Sequence, residues 1–310
     1  MANENGKKSI DVEKAKKMAK SPKGKIGAIV SVVIILAAIG VLAFIFTRTD
    51  SPDDYKYELT ITDATITGLE NVELEDLKFP SKIDGIPVTK IGESAFYKCY
   101  QITSVDMPNT VTEINNGAFF GCVSLTKVSM SNSVTTIGTS AFAECTNLKS
   151  INIPDSVTEI GPHAFTGCTS LSKISIPKSV TNIHDNTFSN CTNLTSVDIP
   201  NTITSIGISA FSKCSSLKKI EIPNTVKKIN NSAFADCTSL TRVEIPKSVS
   251  TIAPFAFGGC TGLTRVDIPI TVIKIENQAF QNCPNLTIYG KKGSQAEVYA
   301  RAQKIPFKEL

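Results

Sequence analysis

The sequence predicts a repeat solenoid, preceded by one transmembrane helix. Its pattern of apolar residues returns every 23 residues through most of the 310-residue chain, as in the copy from Val157 to Ser179. Each copy has a phenylalanine in the same register, followed three residues later by a cysteine, and all nine cysteines lie in that column. We expect the phenylalanines to form the structural core: Phe96, Phe119, Phe142, Phe165, Phe188, Phe211, Phe234, Phe257 and Phe280.

A run of the form Leu-x-x-Val-x-Ile-Pro recurs in the copies, for example as Leu148–Pro154 and Leu194–Pro200. A short period with such a run is the signature of a leucine-rich repeat, in which each copy is one turn of a solenoid. Alternating β-branched residues indicate a short strand. We therefore expect a solenoid, formally of the α/β class, with mostly short parallel strands and helical turns. Nine turns at the strand spacing of about 4.8 Å would extend roughly 43 Å.

The formal net charge of +4 is unevenly placed. Residues 1–25 carry eight lysines and three acidic residues, whereas the rest of the chain carries 24 basic and 25 acidic residues. This composition predicts a Lys-rich cytosolic tail, disordered or loosely helical at a membrane surface. The near-neutral remainder gives no indication of nucleic-acid binding.

Residues 26–46 are apolar except for the hydroxyl of Ser31. A helix of that length crosses a hydrocarbon core of about 30 Å. Lysines precede the segment, and Arg48 followed by aspartates comes after it, so the positive-inside rule places the N-terminus in the cytosol. A cleaved signal peptide is the alternative, but the apolar run is too long and no small-x-small site follows it. We expect a single-pass signal anchor in the cell membrane, with the repeats extracellular.

The sequence divides into five segments. Residues 47–87 do not fit the period and are interpreted as a linker and N-terminal cap, because the first turn of a solenoid would otherwise expose its core. Within them, Asp84-Gly85 predicts a tight turn. Near the other end, Ser294–Gln303 predicts a capping helix with a serine N-cap. The segments are the tail 1–25, the anchor 26–46, the linker and cap 47–87, the repeat array 88–290 and the C-terminal cap 291–310.

One position in each turn favours residue types that tolerate a positive φ. It lies between the Val-x-x-Ile segment and the Ala-Phe pair, and Ala253 and Glu276 break the preference. We expect left-handed backbone at this position in the other copies. Its occupants there are Gly92, Asn115, Gly138, Gly161, His184, Gly207 and Asn230.

The whole unit, Ala-Phe-x-x-Cys-x-x-Leu-x-x-Val-x-Ile-Pro-x-x-Val-x-x-Ile-Gly, resembles the BspA-type leucine-rich repeat family, which comprises surface proteins of bacteria and some protozoa. The resemblance covers roughly residues 77–305. The opening Asp84–Val88 and the ending Tyr289–Ser294 also resemble that family's terminal units. The resemblance implies a surface protein that adheres to host matrix proteins or other cells, without a defined binding motif.

The chemistry of enzymes is not evident in the sequence. Stacked turns place equivalent cysteines about 4.8 Å apart, but an odd number cannot pair fully, so we expect buried free thiols rather than disulfides. Zinc is not expected because no Cys-x₂-Cys pair occurs. The two histidines, His163 and His184, fall in different columns without a partnered acid and nucleophile. The sequence predicts no metal, no cofactor and no enzymatic activity.

The candidate binding face is the outer face of the main strand, where two columns of variable polar residues become one basic and one acidic stripe. These columns could dock a protein or a glycan. They could equally pair with each other and keep a flat sheet soluble. The candidate binding residues are Lys127, Lys173, Asp198, Lys219, Glu221, Arg242, Glu244, Arg265 and Asp267.

Aromatic residues at variable positions occur near the first turns, as Tyr97, Tyr100 and Phe120. Exposed together, they would form an apolar contact patch. The closeness of the N-terminal cap favours the alternative that they seat this cap.

The sequence is compatible with two alternative functions from different classes. The first is a membrane-anchored recognition or adhesion protein that binds an extracellular protein or glycan through many weak polar contacts. The second is a structural spacer or envelope assembly partner with no external ligand.

Overall fold

In the computed structural model, the chain winds into a solenoid with two long sides, along which the strands of successive turns pair in parallel. The cap strands Tyr55–Leu59 and Ala64–Leu69 pair antiparallel. The structure describes residues 54–310 and, before them, the backbone of β1 (Ser31–Leu36) and β2 (Leu42–Arg48). One side is built by the main strands. They are β5 (Asp76–Lys78), β8 (Ser104–Asp106), β10 (Lys127–Ser129), β13 (Lys173–Ser175), β15 (Ser196–Asp198), β18 (Arg242–Glu244), β20 (Arg265–Ile268), β22 (Thr287–Gly290) and β23 (Phe307–Glu309).

The second side is built by the Val-x-x-Ile segments, which continue from the N-terminal cap. A hairpin strand, β6 (Lys82–Ile83), pairs with the first long strand of the array. The strands of this side are β3 (Tyr55–Leu59), β4 (Ala64–Leu69), β7 (Ile86–Ile91), β9 (Glu113–Ile114), β11 (Thr136–Ile137), β12 (Glu159–Ile160), β14 (Asn182–Ile183), β16 (Ser205–Ile206), β17 (Lys228–Ile229), β19 (Thr251–Ile252) and β21 (Lys274–Ile275).

The register of the array strands follows the sequence period. In the main-strand sheet, Lys127 pairs with Ser104 and Lys173 pairs with Ser196, each one 23-residue repeat apart. Val and Ile of each strand point inward while the residues between them point outward, because successive side chains of a strand alternate between faces. Residues that share a column in the sequence are therefore neighbours on one face, as the period predicts.

The phenylalanine column forms the centre of the core. Consecutive rings from Phe96 to Phe280 lie 5.1–5.6 Å apart between centroids, with interplanar angles of 1–12°. Their side chains are at most 3% exposed. At the N-terminal end the stack continues through Phe79 to Tyr55, and at the C-terminal end it meets Tyr299. The predicted core column is confirmed.

The cysteine column runs beside these rings. All nine cysteines are free thiols, and all except Cys99 are buried. Each buried thiol donates a hydrogen bond to the phenylalanine carbonyl of the preceding turn; Cys145 Sγ, for example, lies 3.2 Å from Phe119 O. Burial raises the pKa of Cys214 to about 12, which keeps its thiol protonated at neutral pH. The predicted buried thiols are confirmed.

A ladder of hydroxyls, which was not predicted from the sequence, also joins the turns. Thr126 Oγ1 donates to Thr103 O at 3.1 Å, and Thr195 Oγ1 donates to Ser172 O at 3.0 Å. Similar bonds recur at a separation of 22 or 23 residues along the solenoid, for example from Ser156 to Val134. These bonds give the small hydroxyl residues of the turns a structural role.

The expected left-handed column is wrong. Positive φ occurs two residues after it, as at Ser140 (φ 55°) and His163 (φ 59°), and again four residues further, as at Glu144. The glycines of the predicted column meet a different constraint, because a Cβ at Gly161 would lie 2.6 Å from the backbone nitrogen of Thr139. Close approach of adjacent turns, rather than φ, favours glycine there.

The bends between the sheets are hydrogen-bonded turns rather than helical turns. In the copy around Phe165, the amide of Cys168 donates to the carbonyl of Phe165 and that of Ala164 donates to the carbonyl of Gly161. The one helix among residues 54–310 is α1 (Gln295–Ala302), where the sequence predicts a capping helix. Ser294 precedes it, but its side chain makes no capping bond; Glu297 Oε2 accepts from the amide of Gly293 instead.

The N-terminal cap seats on the array through aromatic rings. Phe79 stacks on Phe96 at 5.5 Å, and Tyr55 meets Phe79 edge-on at 5.4 Å. Asp84 and Gly85 both have positive φ and close the β6–β7 hairpin, as the sequence predicts.

The segment expected to cross the membrane is described only in part. β1 and β2 pair antiparallel, and β2 pairs with β3, so these stretches of residues 26–46 are strands in the structure and not helix. An apolar run rich in Val and Ile is compatible with a strand or with a helix, and the periodicity of its residues does not distinguish the two. Residues 26–30 and 37–41, and the predicted tail 1–25, lie outside the described residues. Over the described part of the chain, no helix has the length and apolar character of a membrane span.

Candidate functional site

The candidate binding face is presented by the main-strand sheet. Most of the predicted residues are exposed there: Lys127, Lys173, Asp198, Lys219, Glu221, Arg242 and Glu244. Arg265 is about one-third exposed, and Asp267 is buried, with 9% of its side chain accessible. The polar side chains of this face are therefore exposed, except near its C-terminal end, where Arg265 is partly buried and Asp267 is buried.

The C-terminal half of the face pairs most of its own charges. Asp267 accepts from Arg242 Nη2 and from Arg265 Nε, each at 2.7 Å. The guanidinium of Arg265 also lies 4.0 Å from the ring centroid of Tyr289 in β22. Lys219 pairs with Glu221 on its own rung, and this bond lowers the pKa of the Glu221 carboxyl. The alternative of mutual charge pairing thus describes this half of the face.

The N-terminal half lacks such pairing. Lys127, Lys149 and Lys173 project from three successive rungs, and we call them the basic row. Within residues 54–310, no ion pair involves any of the three. Lys149 was absent from the predicted residues because its column holds mostly threonine and serine in other turns.

The main-strand sheet is interrupted at two rungs. Within residues 54–310, it divides into β5–β8–β10, β13–β15 and β18–β20–β22–β23. Residues 150–152 and 219–221 form no strand, and Lys219 makes an isolated bridge to Arg242. At these rungs the main strands of adjacent turns are not paired as they are elsewhere on this side.

A depression of about 480 Å³ lies on the face beside the second interruption. Lys173, Ser175 and Asp198 line one part of it, and Lys219 and Glu221 line another. Its floor includes Val197 and Ile199, which are half-buried although their counterparts in most other turns are buried. Ser175 Oγ donates to Asp198 Oδ2 at 3.2 Å. The depression combines charged walls with a partly apolar floor.

The predicted aromatic residues stay at the surface. Tyr97 and Tyr100 are 49% and 54% exposed, and Phe120 is half-buried. Tyr97 stacks on Phe120 at 5.1 Å between centroids. The ring contacts that seat the N-terminal cap come from Phe79 and Tyr55. The sequence had favoured the three predicted aromatic residues for this role.

Neither histidine belongs to a catalytic arrangement within the described residues. His163 is exposed, and its Nδ1 lies 3.5 Å from Thr166 Oγ1. His184 is half-buried and lines a separate depression of about 380 Å³ with Asp185. Residues 54–310 contain no group of three His, Cys, Asp or Glu side chains that could hold a metal ion.

Turns that each contribute a short parallel strand, with leucine and valine in a shared core, define a leucine-rich repeat protein. The chain belongs to the family with the BspA type leucine rich repeat region, whose model matches residues 60–195 and 181–292 in six copies. No curated protein matches the chain.

Solved structures of similar proteins come from several bacteria. The leucine-rich repeat protein of T. pallidum shares 27% identity and a TM-score of 0.50, over 67% of this chain and 87% of that one. A leucine rich cell surface protein of Faecalibacterium prausnitzii shares 26% identity and a TM-score of 0.42, over 85% and 98%. A leucine-rich repeat protein of Bacteroides ovatus shares 25% identity and a TM-score of 0.40, over 83% and 98%.

Proposed function

We propose that this chain is a non-catalytic recognition protein of the cell surface, which binds an extracellular protein or glycan through its main-strand face. The observation that carries the proposal is the exposure of outward columns of polar side chains over a continuous core of stacked phenylalanines. Such a surface can offer many weak contacts in fixed register, so that affinity comes from repetition. Membership of the BspA type repeat family supports a recognition role.

The proposal includes a membrane anchor at residues 26–46. Its support is the length of the apolar segment, the lysines before it and the acidic residues after it. An open hairpin would leave backbone groups unsatisfied in hydrocarbon, whereas a helix satisfies them internally. We therefore propose that the segment becomes helical in lipid and holds the repeats outside the cell.

Protease shaving of intact cells tests this topology. Antibodies against residues 1–25 and against the repeats should show loss of the repeat epitope and protection of the tail. Permeabilised cells serve as the control, because the tail must then become accessible. Protection of both epitopes in intact cells would contradict an outward-facing solenoid.

A binding panel tests recognition itself. Full-length protein in nanodiscs should bind saturably to at least one member of a panel of matrix proteins, glycans and cells. The heat-unfolded protein is the control for nonspecific adsorption. Absence of saturable binding across the panel would rule out the recognition function.

The second candidate is a structural spacer or envelope assembly partner without an external ligand. The ion pairs of Asp267 with Arg242 and Arg265 favour it, because they use charges of the face for internal pairing. It predicts that reversing Lys219, Arg242 and Arg265 leaves cell attachment unchanged, while deletion of the chain alters envelope integrity. Loss of attachment in the reversed variant would favour recognition.

A further inference from the structure

The outward positions of three consecutive rungs form a uniform basic and hydroxyl-bearing surface. The rungs run from residue 126 to 129, from 149 to 152 and from 172 to 175, and all nine outward side chains are exposed. None of the nine is acidic, aromatic or aliphatic. They are Thr126, Lys127, Ser129, Lys149, Ser150, Asn152, Ser172, Lys173 and Ser175.

The charge of this surface is available to a ligand. The nearest acidic residues in the two outward columns are Asp76 and Asp106 on one side and Asp198 on the other. Asp76 lies two rungs from Lys127 and forms no ion pair with it. Beyond Asp198 most of the basic residues of the face are paired, as Lys219 is with Glu221 and Arg265 is with Asp267, and Lys218 is an exception. Within residues 54–310, the basic row is thus the part of the face where unpaired lysines follow one another on successive rungs without an acidic side chain between them.

The row also has a fixed spacing. Lys127 and Lys173 occupy the same column two rungs apart, although the rung between them, residues 150–152, forms no strand. The core keeps its repeat through these turns, because successive ring centroids from Phe119 to Phe165 lie 5.3 and 5.6 Å apart. Lys149 lies on the rung between them, one position earlier in the repeat. Two rungs are close to the length of two sugars in an extended polysaccharide. A chain with a carboxylate on every second sugar would therefore meet Lys127 and Lys173 in register.

We infer that the basic row binds a linear acidic polysaccharide with one carboxylate per disaccharide, laid along the solenoid axis across these three rungs. This inference deepens the proposed function and rests on it. The hydroxyls of Thr126, Ser172 and Ser175 already donate to neighbouring turns, so they can only accept from a sugar hydroxyl. The side chains of Ser129, Ser150 and Asn152 can both donate and accept. Beyond Lys173, the depression floored by Val197 and Ile199 provides an apolar contact for one further ring.

Other polyanions fit the surface less well. Protein interfaces usually contain aromatic or apolar anchors, which these three rungs lack. Duplex DNA carries charges far more densely than one per two rungs, and single strands are usually held by stacking on aromatic side chains. The polar composition and wide spacing therefore favour the polysaccharide.

The experiment measures binding of full-length protein in nanodiscs to hyaluronan oligosaccharides, which have a carboxylate on every second sugar. Polygalacturonate oligosaccharides, with a carboxylate on every sugar, neutral dextran and poly-glutamate are the comparison probes. The triple variant Lys127→Gln, Lys149→Gln, Lys173→Gln should bind hyaluronan about tenfold more weakly or worse, since each exposed pair contributes a modest free energy. The control is Lys227→Gln, Lys228→Gln, Lys247→Gln, which removes the same charge from exposed positions off the row.

Saturable hyaluronan binding that the row variant loses and the control keeps supports the inference. Equal losses in both variants would show a response to net charge alone and overturn it. If poly-glutamate or polygalacturonate bound as tightly as hyaluronan, the row would not recognise one carboxylate per disaccharide, and the inference would be overturned. Equal melting temperatures of the variants exclude unfolding as the cause. If hyaluronan does not bind but another panel member does, the inference fails and the recognition function stands.

Discussion

The thiol of Cys168 donates a hydrogen bond to the carbonyl oxygen of Phe142, 3.1 Å away in the preceding turn. The same carbonyl accepts from the amide of Cys145 within its own turn, at 3.3 Å. One acceptor thus ties the bend of its own turn to the next turn. Because the contact recurs down the column, the cysteines connect neighbouring turns as well as filling the core.

Removing this thiol should weaken the solenoid. Cys168→Ala deletes a buried sulfur and its hydrogen bond, and we expect a loss of about 1–2 kcal/mol in the free energy of unfolding. Cys99→Ala is the control, since Cys99 is half-buried at the start of the column and its thiol makes no such bond. Urea denaturation measures both. Equal costs for the two variants would contradict a stabilising role for the thiol–carbonyl bond.

Truncating the ring column should cost more. Phe165 is fully buried between Phe142 and Phe188, with centroids 5.6 Å away on both sides. Phe165→Ala should lower the free energy of unfolding by about 3–5 kcal/mol. Phe120→Ala, at a half-buried ring outside the column, should cost clearly less. A loss near zero for Phe165→Ala in chemical denaturation would show that the column does not carry the core.

The buried thiols predict a decline in stability at alkaline pH. Burial raises the pKa of Cys122, Cys168 and Cys214 to about 12, whereas their ordinary value is 9.0. Below pH 9 these thiols are protonated in both states, and their contribution to stability is fully present. Between pH 9 and 12 only the unfolded state loses protons, so each thiol lowers the free energy of unfolding by about 1.4 kcal/mol per pH unit.

Urea midpoints between pH 7.5 and 11 measure this decline. The triple variant Cys122→Ala, Cys168→Ala, Cys214→Ala is the control, because lysines and tyrosines titrate in it as in the original chain. Its stability should fall less steeply above pH 9. Parallel pH profiles for the two proteins would contradict the assignment of the decline to thiols.

The charge cluster at the C-terminal end of the face should contribute to stability. Asp267→Asn removes the charge that Arg242 and Arg265 share, and we expect a loss of about 1–2 kcal/mol. Asp198→Asn is the matched control, since Asp198 occupies the same column but is exposed and accepts one bond from Ser175. Thermal melts at low and high salt provide the measurement. A similar effect of both variants would show that the pairing of Asp267 adds nothing.

Much of the fold follows from the period of the sequence. Phe165, Cys168 and Leu171 recur at fixed offsets, so their burial and alignment could be predicted before any coordinates. The helix α1 and the Asp84-Gly85 turn were also evident, because helix formers after a serine and an Asp-Gly pair are local signals.

The candidate binding face could be predicted from the sequence less completely than the fold. The two outward columns could be named from the period, but the sequence left docking and internal pairing equally open. The structure separates them along the face, with pairing around Asp267 and unpaired lysines from Lys127 to Lys173. That division depends on which side chains reach each other across turns, which composition does not specify.

The sequence by itself determined the solenoid, its family, its core columns and the outward direction of its polar columns. Only the tertiary structure decided that positive φ lies at His163 rather than Gly161, and that hydroxyls and thiols bridge residues 22 to 26 positions apart. It also decided that Asp267 is buried beneath two arginines. The physical reason is that a fixed period aligns equivalent residues, whereas hydrogen bonds and ion pairs depend on the offset and distance between neighbouring turns.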